Sequence, residues 1–189
     1  MEVYKILVVG EPQTGKSTLI TGIFNCGQLN DAMSLPTTFT KQVAGDKPQQ
    51  SMDFVLKIIN VNGKKARVQL WDMAGSVDTA SVFSPLFVRN AVACIVVGRS
   101  DKPLDEMGKW KTAFDEKTQV PLMKPLPTAF FINHGHASYE TGKGATIEMN
   151  PRLEQACKNI KDLEQPTEIY HVNAQSGDGI YESFKHFTA

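Results

Sequence analysis

Eight residues near the start of the chain, Gly10-Glu11-Pro12-Gln13-Thr14-Gly15-Lys16-Ser17, follow a G-x-x-x-x-G-K-S spacing directly after the apolar run Tyr4-Lys5-Ile6-Leu7-Val8-Val9. Each residue type suits one task at a polyphosphate. The glycines let the backbone turn tightly, so that its N–H groups and the start of the following helix form a nest of partial positive charge around two phosphates. Lys16 is placed to reach the terminal phosphate oxygens, and the Ser17 hydroxyl to hold Mg2+. Gly10, Gln13, Thr14, Gly15, Lys16, Ser17 and Thr18 are therefore the candidate contacts to a nucleoside triphosphate. The pattern carries meaning only between a strand and a helix. Thr18-Leu19-Ile20-Thr21-Gly22-Ile23-Phe24 supplies the helix, with apolar residues at 19, 20, 23 and 24.

A second group follows at Trp71-Asp72-Met73-Ala74-Gly75. Asp72 ends an apolar run, and a carboxylate at the end of a central strand beside the phosphate loop can hold a water on Mg2+. Gly75 can bring its N–H to the third phosphate with no side chain in the way.

These residues need a sheet to carry them. Apolar strand runs alternate with helical stretches, the pattern of a doubly wound α/β fold. The strands are expected near 3–9, 53–61, 66–71, 91–97, 127–133 and 168–172, and the helices near 16–26, 78–89, 103–117, 150–162 and 178–187. One junction breaks the alternation: the second and third strands are separated only by a short turn at Asn62-Gly63, a hairpin signal that demands antiparallel pairing. The expectation is a six-stranded, mostly parallel sheet with one antiparallel edge strand and helices on both faces. Residues 25 to 52 form a long, polar, weakly periodic stretch, of the kind that is usually functional or mobile.

Composition narrows the rest. A chain of 189 residues suits one domain, taken as 1–189. Its 20 basic and 20 acidic residues cancel, and no basic run offers a footprint for nucleic acid or an anionic membrane. The apolar runs are strand-length and no leader pattern opens the chain, so a soluble intracellular protein is expected. Cys26, Cys94 and Cys157 lack metal spacing and read as reduced, partly buried thiols. The final residues carry no Cys-a-a-X box, so no direct membrane anchor of the prenyl kind is expected.

With its phosphate loop, hairpin and D-x-A-G, the chain resembles the Ras-type small GTPases, of the Rab-like branch, over essentially its whole length. The resemblance implies GTP or GDP and Mg2+ as ligands. Leu35-Pro36-Thr37 stands where the family's first switch carries Pro-Thr. It implies that Thr37 binds Mg2+ and senses the third phosphate; the adjacent Thr38 could take that role. The base-reading segments would be Asn133-His134-Gly135-His136, in place of N-K-x-D, and Asn173-Ala174-Gln175, in place of S-A-K.

The departures carry information of their own. The family usually places a water-orienting Gln after the D-x-x-G glycine, whereas Ser76 stands here, so no catalytic residue is assigned. Pro12 removes one N–H and would crowd an incoming arginine finger. Both favour slow turnover. A neutral His136 offers one ring acceptor at most, where the family Asp accepts two hydrogen bonds from guanine, so ATP is expected to compete with GTP. Asn133 is retained, His134 could stack on the base, and the Ala174 N–H could donate to a guanine O6. Ser176-Gly177-Asp178-Gly179 reads as a turn and cap into the last helix.

Within the Rab-like branch, the Trp71–Gly75 segment, Ser100-Asp101-Lys102-Pro103, Glu106-Met107-Gly108-Lys109-Trp110 with Phe114, and the histidine-containing base loop are similar to the intraflagellar-transport twenty-two family, also called Rab-like five. That resemblance implies a subunit of the intraflagellar transport B complex, docked on coiled-coil subunits seventy-four and eighty-one in cilia or flagella. Without it, Met107, Trp110 and Phe114 read as one core face of a helix. Three functions compete: a nucleotide-gated binding module, an active Rab-like GTP hydrolase cycling as a trafficking switch, and a P-loop kinase or other ATP enzyme. The third would want an arginine cluster, and Arg67, Arg89, Arg99 and Arg152 are scattered.

Overall fold

Side chains alternate across a strand, so an uninterrupted apolar strand must be covered on both faces. In the computed structural model, which describes residues 2–25, 53–61, 63–73, 82–118, 125–135, 151–163 and 167–189, β1 (Val3–Val9) meets that requirement. Ile6 and Val8 face one buried cluster, and Leu7 and Val9 face the other. The first cluster lies under α1 (Lys16–Asn25) and the last helix, Ile180–Thr188. The second lies under Pro85–Val88, Met107–Thr118 and Pro151–Lys161.

The remaining elements are β2 (Asp53–Val61), β3 (Lys64–Asp72), α2 (Pro85–Val88), β4 (Ala91–Arg99), α3 (Met107–Thr118), β5 (Thr128–Asn133), α4 (Pro151–Lys161), β6 (Thr167–Val172) and α5 (Ile180–Thr188). They build the expected sheet of six strands in the order β2-β3-β1-β4-β5-β6. All pairs are parallel except β2 with β3. Val61 pairs with Lys64 at the end of that hairpin, and Gly63 takes the positive φ of 79° that a tight hairpin turn favours.

Lys57 sits fully buried in the middle of β2. Its ammonium donates to the Ile23 and Phe24 carbonyls at 2.7 and 2.8 Å, satisfying the carboxyl end of α1 with a positive charge where the helix dipole favours one. The edge hairpin is thereby tied to the helix that carries the phosphate loop.

Element bounds differ from expectation by one or two residues at many ends and by more in two helices. Helix 103–117 begins later, at Met107, because residues 103–106 form a turn closed by the Met107 N–H on the Leu104 carbonyl. Of the helix expected over 78–89, Pro85–Val88 is helical, with Pro at its first turn, while 74–81 lie outside the described residues. The last helix starts at Ile180 rather than 178: Gly179, the final residue of the turn and cap expected over 176–179, is its N-cap, left-handed at φ 73° and with no side-chain cap bond. Met107, Trp110 and Phe114 are core residues, as their spacing implied, and Cys94 and Cys157 are buried free thiols. Burial pushes both thiols above the usual range. Among the described residues no helix is long and apolar enough to cross a membrane.

Candidate functional site

From β1 the chain runs outward in both directions, to β3 on one side and β4 on the other. The loop leaving β1 therefore stands at the crevice where an open α/β sheet binds its ligands. That loop is residues 10–15. Gly10 has φ 143°, and a Cβ there would lie 2.2 Å from the Val97 carbonyl oxygen; Gly15 has φ 94°, and a Cβ would lie 2.4 Å from Asn133 Nδ2. Both positions demand glycine twice over, by conformation and by contact. Gln13, also left-handed at φ 62°, has a side chain nonetheless.

The Thr14 hydroxyl donates to the Glu11 carbonyl at 3.0 Å and braces the loop. Lys16, only 7% exposed, folds its ammonium onto the Gly10 and Glu11 carbonyls at 3.1 and 2.8 Å. Burial pulls its pKa down, and the Asp72 and Glu11 carboxylates oppose that. A buried ammonium held beside the loop by its own carbonyls is a ready counter-charge for phosphate. The Ser17 hydroxyl donates to Asp72 Oδ2, so the two side chains assigned to Mg2+ from the sequence meet, although they are 55 residues apart. Asp72 ends β3, where the Met73 N–H closes onto the Val8 carbonyl at 3.0 Å.

A hydroxyl and a carboxylate are hard oxygen donors of the kind Mg2+ takes. Among the described residues no cluster of three or more His, Cys, Asp or Glu offers a self-sufficient metal cage. A cation held by Ser17 and Asp72 would complete its shell with phosphate oxygens and water. Thr18 and Pro12 are exposed, Thr18 on α1 and Pro12 on the loop. Thr37, Thr38, Gly75, Ser76 and His136 lie outside the described residues.

Asn133, at the end of β5, is the hub of the base side. Its Nδ2 donates to the Thr14 carbonyl at 3.0 Å, and its Oδ1 accepts the Gly135 and Ala174 N–H groups at 3.1 and 3.0 Å. One buried amide thus joins the phosphate loop to both base-side segments. The Ala174 N–H, expected to be offered to a guanine O6, is instead given to Asn133. Asn173 organises its own turn, accepting the Gln175 and Ser176 N–H groups at 3.0 and 3.1 Å. His134, read from the sequence as able to stack on the base, is 5% exposed and shares a 3.0 Å hydrogen bond with His171 of β6. An imidazole removed from water needs such a partner, and β6 supplies it. Burial, with His171 second, holds His134 down to about 4; burial and then Lys161 lower His171, so both rings are neutral at pH 7.

Sequence reasoning missed Arg99 and His171. Arg99 closes β4, its guanidinium on Asp101 and on the Gln13 carbonyl. Its position at the carboxyl end of a parallel strand is the signal that could have found it. A cavity of about 790 Å3 is lined by Tyr4, Ile59, Val61, Ala66, Val92 and Phe187, at the opposite end of the sheet from the phosphate loop. It has no part in phosphate chemistry.

Residues 5–124 match the family described as Ras of Complex, Roc, domain of DAPkinase. The chain belongs to this family of Ras-type small GTPase domains. The matched stretch carries the phosphate loop, Asp72 and Arg99 and stops short of Asn133. Ras-related protein Rab-32A of Dictyostelium discoideum is 29% identical over 160 residues, covering 82% of this chain and 64% of that protein. Ras-related protein Rab-7L1 of Rattus norvegicus is 27% identical over 138 residues, covering 71% and 60%. Ras-related protein Rab-10 of Caenorhabditis elegans is 26% identical over 125 residues, covering 65% and 55%. The chain thus spans less than two thirds of the length of these curated relatives. It is a Ras-type small GTPase domain similar to these Rab proteins.

Proposed function

We propose that this domain is a nucleotide-gated binding module, in which a bound triphosphate with Mg2+ orders the surface that docks on a protein partner. The observation that carries it is the convergence of Lys16, Ser17 and Asp72 at a glycine-built loop on the sheet's crossover. Gly10, Gln13, Thr14, Gly15, Lys16, Ser17 and Thr18 would take the phosphates, and Ser17, Asp72 and Thr37 the cation, with Gly75 at the third phosphate. Mg2+, when bound, neutralises phosphate charge; the chain's own residues orient the phosphates, and the turns that Asn133 and Asn173 organise, carrying Ala174 and Gln175, would frame the nucleoside end. Beside the site, Phe54 and Trp71 stack at 5.3 Å, and the Lys5 ammonium lies 3.9 Å over the Trp71 ring. Both aromatics are only partly buried, and such amphipathic, rigid surface suits a protein interface.

Ser76 in the water-orienting position and Pro12 in the loop favour this reading over a cycling hydrolase. The partner we propose is the coiled-coil portion of the intraflagellar transport B complex, reached in the cytoplasm and at the cilium or flagellum, as the Rab-like five resemblance implies. The base contact we propose is GTP with ATP competing, because His136 replaces an Asp. Losing a charge-assisted acceptor of that kind costs on the order of 1.5–3 kcal/mol, about tenfold or more in preference. Identifying the copurifying nucleotide, then following it for hours with Mg2+, tests the core reading. Retained triphosphate supports the module, and rapid conversion to diphosphate would return the hydrolase. Competition titrations on the wild type and His136→Asp test the base contact, and pull-down of coiled-coil transport subunits from ciliated cells tests the partner.

A further inference from the structure

β4 ends at Arg99 and β5 at Asn133, and the strand register pairs these two residues. Both side chains reach back to the phosphate loop, and to consecutive carbonyls. Arg99 Nη1 donates to the Gln13 oxygen at 3.3 Å, and Asn133 Nδ2 to the Thr14 oxygen at 3.0 Å. A trans peptide is planar, with its C=O and the following N–H pointing in opposite directions. Holding the Gln13 carbonyl outward therefore turns the Thr14 N–H inward, and holding the Thr14 carbonyl does the same for Gly15. Of these residues Gln13 most needs such a hold, because it carries a Cβ in the left-handed region at φ 62°.

Asp101 fixes the arginine in turn. Arg99 Nε donates to Asp101 Oδ1 at 2.8 Å and Nη2 to Oδ2, directing Nη1 toward the loop. The turn that brings the carboxylate there is closed by the Lys102 N–H on the Arg99 carbonyl at 3.1 Å. The guanidinium side chain is only 16% exposed.

We propose that Arg99 is a positioning residue of the phosphate loop, fixing the Gln13–Thr14 peptide so that the Thr14 N–H faces a bound phosphate, with Asp101 holding Arg99 in place. This rests on the reading of residues 10–17 as a nucleotide site. Loss of one charge-assisted hydrogen bond predicts roughly tenfold faster release of a fluorescent guanosine diphosphate from Arg99→Gln. Asp101→Asn should shift release in the same direction by a smaller factor, and Arg99→Lys should fall between wild type and Arg99→Gln. A guanidinium that touched phosphate directly would behave in the opposite way: Asp101→Asn would free positive charge for the ligand and slow release. Slower release from Asp101→Asn, or wild-type release from Arg99→Gln, overturns the proposal. Amide exchange at Thr14 in nucleotide-free protein reads the same clamp without a ligand, and Arg99→Gln should accelerate it while the β4 amides stay protected. Unchanged Thr14 exchange overturns the clamp whether or not nucleotide binds. Accelerated exchange in a protein that binds no nucleotide would support the clamp and sink the nucleotide reading alone.

Discussion

Replacing Asn133 with Ala removes one side chain and three hydrogen bonds, to the Thr14 carbonyl and from the Gly135 and Ala174 N–H groups. At about 1 kcal/mol net for each buried bond, the loss is about 3 kcal/mol. For a chain of this size that lowers the melting temperature by about 6–12 °C. Gly15→Ala should strike the same hub from the other side. Its Cβ would lie 2.4 Å from Asn133 Nδ2, on a backbone at φ 94°. The left-handed backbone costs about 1–2 kcal/mol, and displacing the amide costs at least one further bond, about 1 kcal/mol. The two changes are therefore coupled. Once Asn133 is Ala, nothing remains for the new methyl to strike, so the double variant should be less destabilised than the sum of the singles by about 1 kcal/mol or more. Urea unfolding of the four proteins, without nucleotide, measures each term. Additivity within about 0.5 kcal/mol, or a loss below about 1 kcal/mol for Asn133→Ala, would refute the hub.

Lys16→Ala and Ser17→Asn should each abolish nucleotide binding in a fluorescent-nucleotide titration. They should also remove the ligand's stabilisation, roughly 2.7 kcal/mol at a hundred times the dissociation constant, and wild-type affinity in either would sink the phosphate-loop assignment. Single-turnover hydrolysis should run at or below roughly 3–5 × 10⁻⁴ s⁻¹, the unassisted Ras-type rate, and Ser76→Gln should restore little because Pro12 stays. Acid should weaken the fold through the buried histidine pair. With folded-state values held below the unfolded value of about 6.5, the unfolded chain binds more protons, so stability falls as pH drops from about 6.5 toward the His134 value of about 4. His134→Gln should flatten that slope in stability measured across the same range, and an unchanged slope would place the titrating group elsewhere.

The catalogue of strands and the phosphate loop were legible because local rules govern them. Apolar runs of strand length must be buried, the turn at Gly63 forces a hairpin, and glycine at positions 10 and 15 meets backbone demands nothing else satisfies. The Ser17–Asp72 pairing was legible as well, since each motif names a place on the sheet and the topology brings those places together. The last helix reads two residues early, at 178 rather than Ile180, because its start is set by Gly179, the final residue of the expected turn and cap.

Sequence by itself determined that the chain builds a mostly parallel sheet with a phosphate loop after its first strand and a carboxylate opposite its Ser17. Those features follow from periodicity and from chemistry confined to a few adjacent residues. Tertiary structure alone decided which partners the polar side chains at the strand ends would take. Asn133 binds the loop and the Ala174 N–H, His134 turns inward to His171, and Arg99 reaches the Gln13 carbonyl. The pairs span 119, 41, 37 and 86 residues. No local pattern encodes a contact over such a separation. Strand order and register set it, because they fix which carboxyl ends stand side by side and therefore which buried polar group can satisfy which.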